Sequence, residues 1–287
     1  MDHDKSIVRT FYEHFGWSRD ATGVYNDVVL FEDSRRVVQW YYLQTNRRVQ
    51  RYIPAKGRFF LDAGSGPIPH PEYLEQSAGY DRRVCADFSF EALKQARETL
   101  GGRGFYVQAD ITRLPFKDGA FDAVVAAHIL YHVPAAEQAS AVRELHRATA
   151  RDGGCVILYT RKYPLLAKIK RLFRAERWCA TIPGFYRLHN GWSRRRPAKE
   201  RAGGQTATDR PPLYAHAYPY RWFEQSFPRT WRLQVRAWRV MGTAFSRRFV
   251  PDNLLGGLFV RLLYRIEDLF PRLLLRVGRY PMIVIQK

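Results

Sequence analysis

RFFLDAGSG, residues 58–66, is a short apolar run that ends in an acid and two glycines. Apolar runs of this length, closed by a glycine turn, are typical of a buried parallel strand that leads into a ligand-binding loop. Glycines at 64 and 66 let the backbone approach a bound molecule closely, because they carry no Cβ. The segment therefore predicts the first strand of an α/β sheet, with a binding turn at its carboxyl end.

Strand and helix patterns alternate after this turn. The predicted strands are 83–88, 104–108, 120–127 and 155–159, the last after an Arg-Asp-Gly-Gly turn, and the predicted helices are 71–76, 89–100 and 135–149. This alternation indicates a doubly wound parallel sheet, in which ligands bind at the carboxyl ends of the strands. Two later segments, 231–240 and 281–286, predict further strands on either side of an amphipathic helix.

The chain divides into four regions by pattern. Residues 1–56 predict an N-terminal helical cap, including a helix over 33–52; residues 57–160 form the sheet core; residues 161–228 form a basic and aromatic insert; and residues 229–287 complete the core. Within the insert, 161–201 holds thirteen Lys or Arg against two Glu, 192–212 predicts a mobile loop, and the aromatic run 213–223 predicts a lid.

Composition narrows the class of protein. With 287 residues and 46% apolar residues the chain can bury a sizeable core, and its formal charge of +20 favours polyanionic partners: nucleic acid, anionic lipid or an acidic substrate. Its three widely spaced cysteines predict neither a disulfide framework nor a zinc site, so a reducing cytoplasm is the simplest compartment. The amino terminus does not resemble a secretory signal. The apolar stretch 254–270 is interrupted by four charged residues, which predicts a helix that lies on a membrane rather than crossing it.

Acidic side chains close three successive strands. Asp62 precedes the glycines, Asp87 follows about 20 residues on, where it can accept hydrogen bonds from ribose hydroxyls, and Asp110 ends the third strand, within reach of an adenine amino group. A dinucleotide fingerprint would need glycine at position 69, where the chain has Pro69, so NAD binding is disfavoured.

The runs LDAGSG, VCADFS, VQADITRLPF, FDAVVAAHILYHVP and RDGGCVILY resemble the small-molecule S-adenosylmethionine (SAM) dependent methyltransferases of class I that are related to quinone-biosynthesis enzymes. The resemblance spans about 57–160. It implies SAM as cofactor and a Rossmann-like doubly wound sheet of seven strands whose last strand is antiparallel, with the insert between strands 5 and 6. The SAM-binding residues that it implies are Asp62, Gly64, Ser65, Gly66, Asp87, Phe88, Asp110, Ile111 and His128. One departure is Ile68, between two prolines, where the family often has a third glycine, and it predicts a stiffer turn.

Methyl transfer from a sulfonium is an in-line displacement, so alignment and exclusion of water matter most. A hydroxyl acceptor would also need a base, for which His128, Tyr131 and His216 are candidates by location, as are Tyr159 and Tyr218; nothing singles one out. His128 and His132 have the spacing of a metal pair, but no third ligand is evident. No metal is predicted, and His132 is interpreted as a hydrogen-bonded histidine.

The leading hypothesis is methyl transfer to a small hydrophobic or amphiphilic acceptor, such as a lipid, quinone or polyketide-like metabolite. The basic insert then predicts a cytoplasmic enzyme that approaches the anionic inner face of a membrane. An RNA or other nucleic-acid methyltransferase is the first alternative; the run AHIL at 127–130 lacks the Asp/Asn-Pro-Pro-aromatic motif of amino-base enzymes. A noncatalytic lipid- or RNA-binding adaptor on the same fold is the second, against which the three strand-end acids argue.

Overall fold

A computed structural model describes residues 3–161 and 211–287. The predicted mobile loop at 192–212 lies outside the described residues except for its last two positions. Most of the basic insert and Cys179 also lie outside them.

Seven strands form one sheet in the order β3-β2-β1-β4-β5-β7-β6. Strands β1 to β5 run parallel to one another, and β7 runs antiparallel to both β5 and β6. The predicted Rossmann-like class, with an antiparallel last strand, is confirmed. The strands are β1 (Gly57–Ala63), β2 (Tyr80–Asp87), β3 (Gly104–Gln108), β4 (Phe121–Ala127), β5 (Thr149–Leu158), β6 (Arg232–Arg239) and β7 (Tyr280–Gln286).

Helices cover both faces and the carboxyl edge of the sheet. They are α1 (His3–Phe11), α2 (Asn26–Phe31), α3 (Arg36–Arg47), α4 (Pro71–Glu75), α5 (Phe90–Leu100), α6 (Gln138–Ala148), α7 (Arg221–Ser226), α8 (Thr243–Phe249), α9 (Leu254–Leu269) and α10 (Pro271–Leu274). The predicted cap of α5 is present, since the Ser89 hydroxyl accepts a hydrogen bond from the amide of Ala92 at 3.2 Å.

Several predicted boundaries differ from the structure; β2, for example, begins at Tyr80, three residues before the predicted start. Strand β5 begins at Thr149, six residues early, because the RDGG segment bulges within the strand: Asp152 has φ +66° and its amide donates to Lys287 at 2.8 Å. The predicted helix 33–52 is α3 followed by a 3₁₀ turn (Arg48–Tyr52), and the predicted helix 135–149 opens with a 3₁₀ turn (Ala135–Glu137).

The middle of the sheet is fully enclosed. Side chains of β4 and β5 from Ala123 to Ala126 and from Cys155 to Leu158 have at most 1% exposure. Strands buried on both faces read as continuous apolar runs, which is the pattern seen in the sequence. The strand order reverses between β1 and β4, so these two strand ends open a cleft at the carboxyl edge of the sheet.

Candidate functional site

A cavity of about 350 Å³ lies at this edge. One wall is the glycine turn after β1 with the end of β2, and the opposite wall is formed by the ends of β4, β5 and β6 with the start of β7. An adjoining chamber of about 50 Å³ lies between α1 and β3 and shares the residues Val8, Gly64, Phe88, Ile129 and His132 with it. A larger depression between residues 13–19 and α5 is open to the surface and contains none of the predicted site residues.

The turn after β1 admits only glycine at two positions. Gly64 has φ +72°, and a Cβ there would lie 2.7 Å from the Ile129 side chain; Gly66 has φ +54°, and its Cβ would lie 2.8 Å from the Trp17 ring. Between them Ser65 is buried and its hydroxyl donates to the carbonyl of Gly66 at 3.2 Å. The side chains of Ile129 and Trp17 therefore pack directly against the backbone of this turn, which only glycine permits.

Ile68, which stands where the resembling family often has glycine, adopts φ +58°. A β-branched residue rarely takes this left-handed conformation, which costs about 1–2 kcal/mol. Its side chain is buried against Cys85, Leu93 and Ala96. Packing thus compensates for backbone strain, and the turn keeps a glycine-like path without a third glycine.

Asp87 is a buried acid at the wall of the cavity. One carboxylate oxygen accepts the amide of Gly66 at 2.9 Å, and the other accepts the amide of Ser89 at 2.8 Å. Within the described residues no Lys or Arg forms an ion pair with it. Burial raises the pKa of Asp87 to about 6, although the two amide donors oppose the rise. The carboxylate keeps free lone pairs and lacks a counter-charge, so it is ready to accept further hydrogen bonds.

Asp62 also borders the cavity, but its carboxylate is bound to Arg83. The Nε of Arg83 lies 3.2 Å from Asp62, and its Nη2 makes a second contact with the same oxygen. The guanidinium also donates to the carbonyl of Tyr73 at 2.5 Å and to the hydroxyl of Ser77 at 3.1 Å. Arg83 was not predicted as a site residue. The available signal was its position in a strand buried on both faces, because a buried arginine requires an acidic partner.

Asp110 and Ile111 border the small chamber. The Nζ of Lys5 on α1 lies 2.7 Å from Asp110 and 2.5 Å from Glu137, and Thr112 donates to Asp110 through its amide and its hydroxyl. The pKa of Asp110 is lower than usual, because the hydrogen bonds from Lys5 and Thr112 together outweigh the opposite effect of burial. The predicted acids therefore border two adjoining pockets: Asp62 and Asp87 line the larger one, and Asp110, held by the N-terminal helix, lines the smaller one.

His128 follows β4 with φ +62° and lines the cavity. Its amide donates to Leu158 at 3.0 Å, and its ring packs against Trp238 at a centroid distance of 5.0 Å and Tyr280 at 5.8 Å. Burial, with Arg239 nearby, lowers the pKa of His128 to about 3, so the ring is neutral at pH 7. Its Nδ1 is buried and makes no hydrogen bond to any residue that the structure describes.

His132 has partners on both nitrogens. Nδ1 lies 2.7 Å from the carbonyl of Tyr214 and Nε2 lies 3.3 Å from the Tyr12 hydroxyl, which assigns the proton to Nδ1. Burial lowers the pKa of His132 to about 4. In residues 3–161 and 211–287 there is no cluster of three His, Cys, Asp or Glu side chains able to hold a metal.

Among the candidate bases, the structure brings His128 and Tyr131 to the cavity. Burial raises the pKa of Tyr131 well above its usual value, so the phenol retains its proton. His216 is exposed and does not line the cavity; its amide donates to the carbonyl of Tyr131 at 2.8 Å. Tyr159 and Tyr218 also lie outside the lining, in a hydrogen-bond network with Gln138.

Several residues that line the cavity belong to no recognisable sequence motif and were not predicted as site residues. Glu32 and His70 form an ion pair at 2.9 Å; burial and His70 act in opposite directions on Glu32, whose pKa is lowered, while that of His70 is raised. Tyr12 and Trp17 stack on one another over the glycine turn, with ring centroids 5.1 Å apart. The aromatic spacing in the first twenty residues was the available signal for this cover.

Residues 61–157 match the family described as "Methyltransferase domain". The chain is 28% identical to malonyl-[acyl-carrier protein] O-methyltransferase of Legionella pneumophila, covering 49% of each chain. It is 36% identical to demethylmenaquinone methyltransferase of Thermus thermophilus, covering 39% of this chain and 51% of the relative. It is 34% identical to phosphatidylethanolamine N-methyltransferase of Cereibacter sphaeroides, covering 45% and 66%. The chain spans about half the length of the first two relatives.

Proposed function

We propose that the chain is a class I SAM-dependent methyltransferase, as its methyltransferase domain at 61–157 indicates, and that it transfers the methyl group of SAM to a small amphiphilic acceptor in the cavity described above. The supporting observation is the division of that cavity into two walls. The glycine turn and Asp87 form one wall, and an aromatic wall with His128 faces it across the cleft. A donor and an acceptor can therefore lie side by side in this cavity.

The first wall fits the nucleoside part of SAM. The free lone pairs of Asp87 match a pair of ribose hydroxyls, which would supply the hydrogen bonds that its buried charge lacks. Gly64 and Gly66 line the cavity beside Asp87, and Ile129 and Trp17 pack where their Cβ atoms would be. We propose that Ile111 and Asp110 contact the adenine in the small chamber.

Bound SAM would supply an electrophilic methyl group, and the protein would hold the donor and the acceptor in position. Tyr12 and Trp17 cover the donor wall and exclude water, which strengthens every polar contact inside. His128, neutral and held by its ring contacts, exchanges a hydrogen bond with the polar group of the acceptor through its unpaired Nδ1. With a pKa of about 3 it orients the acceptor as a neutral imidazole and is not protonated to imidazolium in the resting enzyme.

Two observations favour a small acceptor over a nucleic acid. Within the described residues, the cavity is bordered by α1, α2 and the turn after β5. Cys85 and Cys155 are buried, and burial raises the pKa of each thiol to about 12, so neither can act as the nucleophile of a pyrimidine methyltransferase.

The direct test is an assay with methyl-labelled SAM and separated lipid and aqueous extracts as acceptor sources. We expect label to enter an organic-soluble small molecule. Label recovered only in RNA would support the nucleic-acid alternative, and the absence of transfer by protein that still binds SAM would support the adaptor alternative.

Binding of S-adenosylhomocysteine (SAH) should depend on pH through Asp87. Because burial raises the pKa of this carboxyl to about 6, the empty site takes up a proton as the pH falls through 6, and the protonated group is the poorer acceptor. We expect the affinity for SAH to fall about tenfold between about pH 7 and pH 5. Calorimetric titration measures this. The matched Asp87→Asn variant should lose the dependence; an equal dependence in that variant would assign it to another group such as His70.

We propose further that α9 and α10 rest on an anionic membrane surface. The exposed large apolar side chains of this region are Leu254, Leu255, Leu258, Phe259, Leu262, Ile266, Leu269, Phe270 and Leu273. Arg261, Arg265, Arg272 and Arg276 are exposed among them. A contiguous apolar face with interspersed arginines complements anionic headgroups above acyl chains. No helix of the described residues is long and apolar enough to span a bilayer.

Vesicle sedimentation tests this surface. We expect the protein to bind vesicles of phosphatidylcholine mixed with phosphatidylglycerol, and the variant Leu258→Gln/Leu262→Gln to bind them about tenfold more weakly. Phe105→Gln, at a similarly exposed apolar residue on β3, is the control. Loss of binding in the control as well, or a concentration-dependent dimer that the double variant abolishes, would contradict a membrane role.

A further inference from the structure

Arg239, the last residue of β6, is a buried charge without a bound counter-ion. Its exposure is 6%, its Nε is buried without a hydrogen-bond partner, and in residues 3–161 and 211–287 no carboxylate lies within ion-pair distance of it. Burial lowers the pKa of Arg239, but Tyr280, Tyr42 and Glu32 outweigh it and keep the pKa above its usual value. The guanidinium is therefore charged, and a buried guanidinium needs an anion.

The guanidinium is held by aromatic rings. Its central carbon lies 4.3 Å from the ring centroid of Tyr42, 4.5 Å from that of Trp238 and 4.7 Å from that of Tyr280. Three rings around one arginine fix its plane, and its N–H donors make no hydrogen bond to a residue that the structure describes.

The backbone beneath Arg239 is fixed as well. The Nε1 of Trp238 donates to the carbonyl of Thr45 at 2.6 Å, and the amide of Val240 donates to buried Glu267 at 2.8 Å. Arg48 donates to the carbonyl of Trp238. The two residues next to Arg239 in the chain are thus anchored to α3 or to α9. Arg239 is therefore already held in one position, and it loses little conformational entropy when a ligand binds.

Arg239 belongs to the acceptor wall of the cavity. It lines the cavity with Tyr280 and His128, at the ends of β6, β7 and β4, across from Asp87 and the glycine turn. Two further buried polar atoms without a partner in the described residues lie beside it: Nδ1 of His128, whose ring contacts Trp238, and the hydroxyl of Tyr42. The nearby acid Glu32 is already paired with His70 at 2.9 Å.

Building on the proposed methyltransferase function, we propose that the acceptor carries an anionic oxyacid group, a carboxylate or a phosphate, which the guanidinium of Arg239 binds within the acceptor wall. Arginine recognises both groups through paired N–H donors. The apolar and aromatic residues around it would hold the rest of an amphiphilic molecule. Arg239 is thereby a residue that determines acceptor specificity.

The test measures binding of three probes of equal chain length to the SAH-saturated protein: octanoate, octyl phosphate and neutral 1-octanol. We expect at least one anionic probe to bind about tenfold more tightly than 1-octanol. Arg239→Gln should abolish this preference. Arg236→Gln, on the same strand with its guanidinium bonded to Gln234, is the matched control and should retain it.

If circular dichroism shows that Arg239→Gln does not fold, Arg239→Lys replaces it in the test, since it keeps the charge and loses the paired donors. A preference for anionic probes over 1-octanol that is reduced at least about threefold in this variant supports the proposal. Equal binding of anionic and neutral probes to the native protein overturns it. So does an Arg239→Gln variant that loses affinity for SAH but not for the anion, because Arg239 would then hold the cofactor's own carboxylate. Failure of the native protein to bind SAH would instead refute the proposed function, and the probes could still be titrated against the SAH-free protein.

Discussion

Replacing Arg83 with methionine is expected to lower the free energy of unfolding by about 3–5 kcal/mol. The change leaves the carboxylate of Asp62 buried without its cation, and it removes the donors that satisfy the carbonyl of Tyr73 and the hydroxyl of Ser77. Methionine fills a similar volume, so loss of the charge pair, rather than a cavity, is the cause. Urea denaturation followed by circular dichroism measures the change.

Two variants make the result specific. Arg82→Met alters the adjacent, exposed arginine of β2 and should change the free energy of unfolding by less than about 0.5 kcal/mol. The double variant Arg83→Met/Asp62→Leu removes both charges and should recover most of the lost stability, since an apolar pair can replace a buried ion pair. A double variant that is less stable than Arg83→Met alone would show that Asp62 stabilises the fold by some other contact.

Replacing Asp87 with alanine should weaken SAH binding about 5- to 150-fold, the equivalent of about 1–3 kcal/mol for charge-assisted hydrogen bonds. The carboxylate accepts the amides of Gly66 and Ser89 in the described structure and would accept the ribose hydroxyls in the complex. Its removal therefore loosens the glycine turn and deletes the ligand contact together. Asp87→Asn, which keeps one acceptor oxygen, should lie between the native protein and the alanine variant.

Asp81→Asn is the matched control for this series, because Asp81 lies on the same strand, exposed at the opposite end. Calorimetric titration with SAH, beside thermal denaturation of each variant, separates binding from folding. Native affinity in a folded Asp87→Ala protein would refute the assignment of this carboxylate to the ribose.

The order of the elements was predictable from sequence because each strand of the core is a short apolar run closed by a turn. β3 was predicted with the observed bounds, whereas β5 was not: a left-handed Asp152 lets the chain bulge between Thr149 and Gly154, both of which pair with β4. No local pattern distinguishes such a bulge from a turn, because the hydrogen bonds that decide it come from residue 287.

The candidate site was predictable where glycines and acids follow strands, since position along the strand fixes which edge they reach. The partners of those acids were not predictable. Arg83 and Lys5 lie 21 and 105 residues away from the acids that they contact. Pairing across such separations is set by the packing of β2 and α1, and a sequence pattern records only that a charge is present. Asp62, Asp110 and the other predicted cofactor contacts therefore stay predictions about the complex.

Arg239 is another site residue that the sequence did not predict. The alternating segment 231–240 correctly predicted a strand, and alternation assigns charged residues to the exposed face. Arg236 is partly exposed, whereas Arg239, three residues further on, is buried at the cavity and lies next to a register shift between Ala237 and Arg239. Alternation therefore does not reveal that a charged residue of this strand is buried.

The central claim is that the glycine turn, Asp87 and the adjoining chamber bind SAM. The most direct measurement is a calorimetric titration of the purified, folded protein with SAH at about pH 7.5, above the pKa of about 6 that burial gives Asp87. The structure predicts saturable binding at one site per chain, weakened by Asp87→Ala. Folded protein that binds neither SAH nor SAM would contradict it.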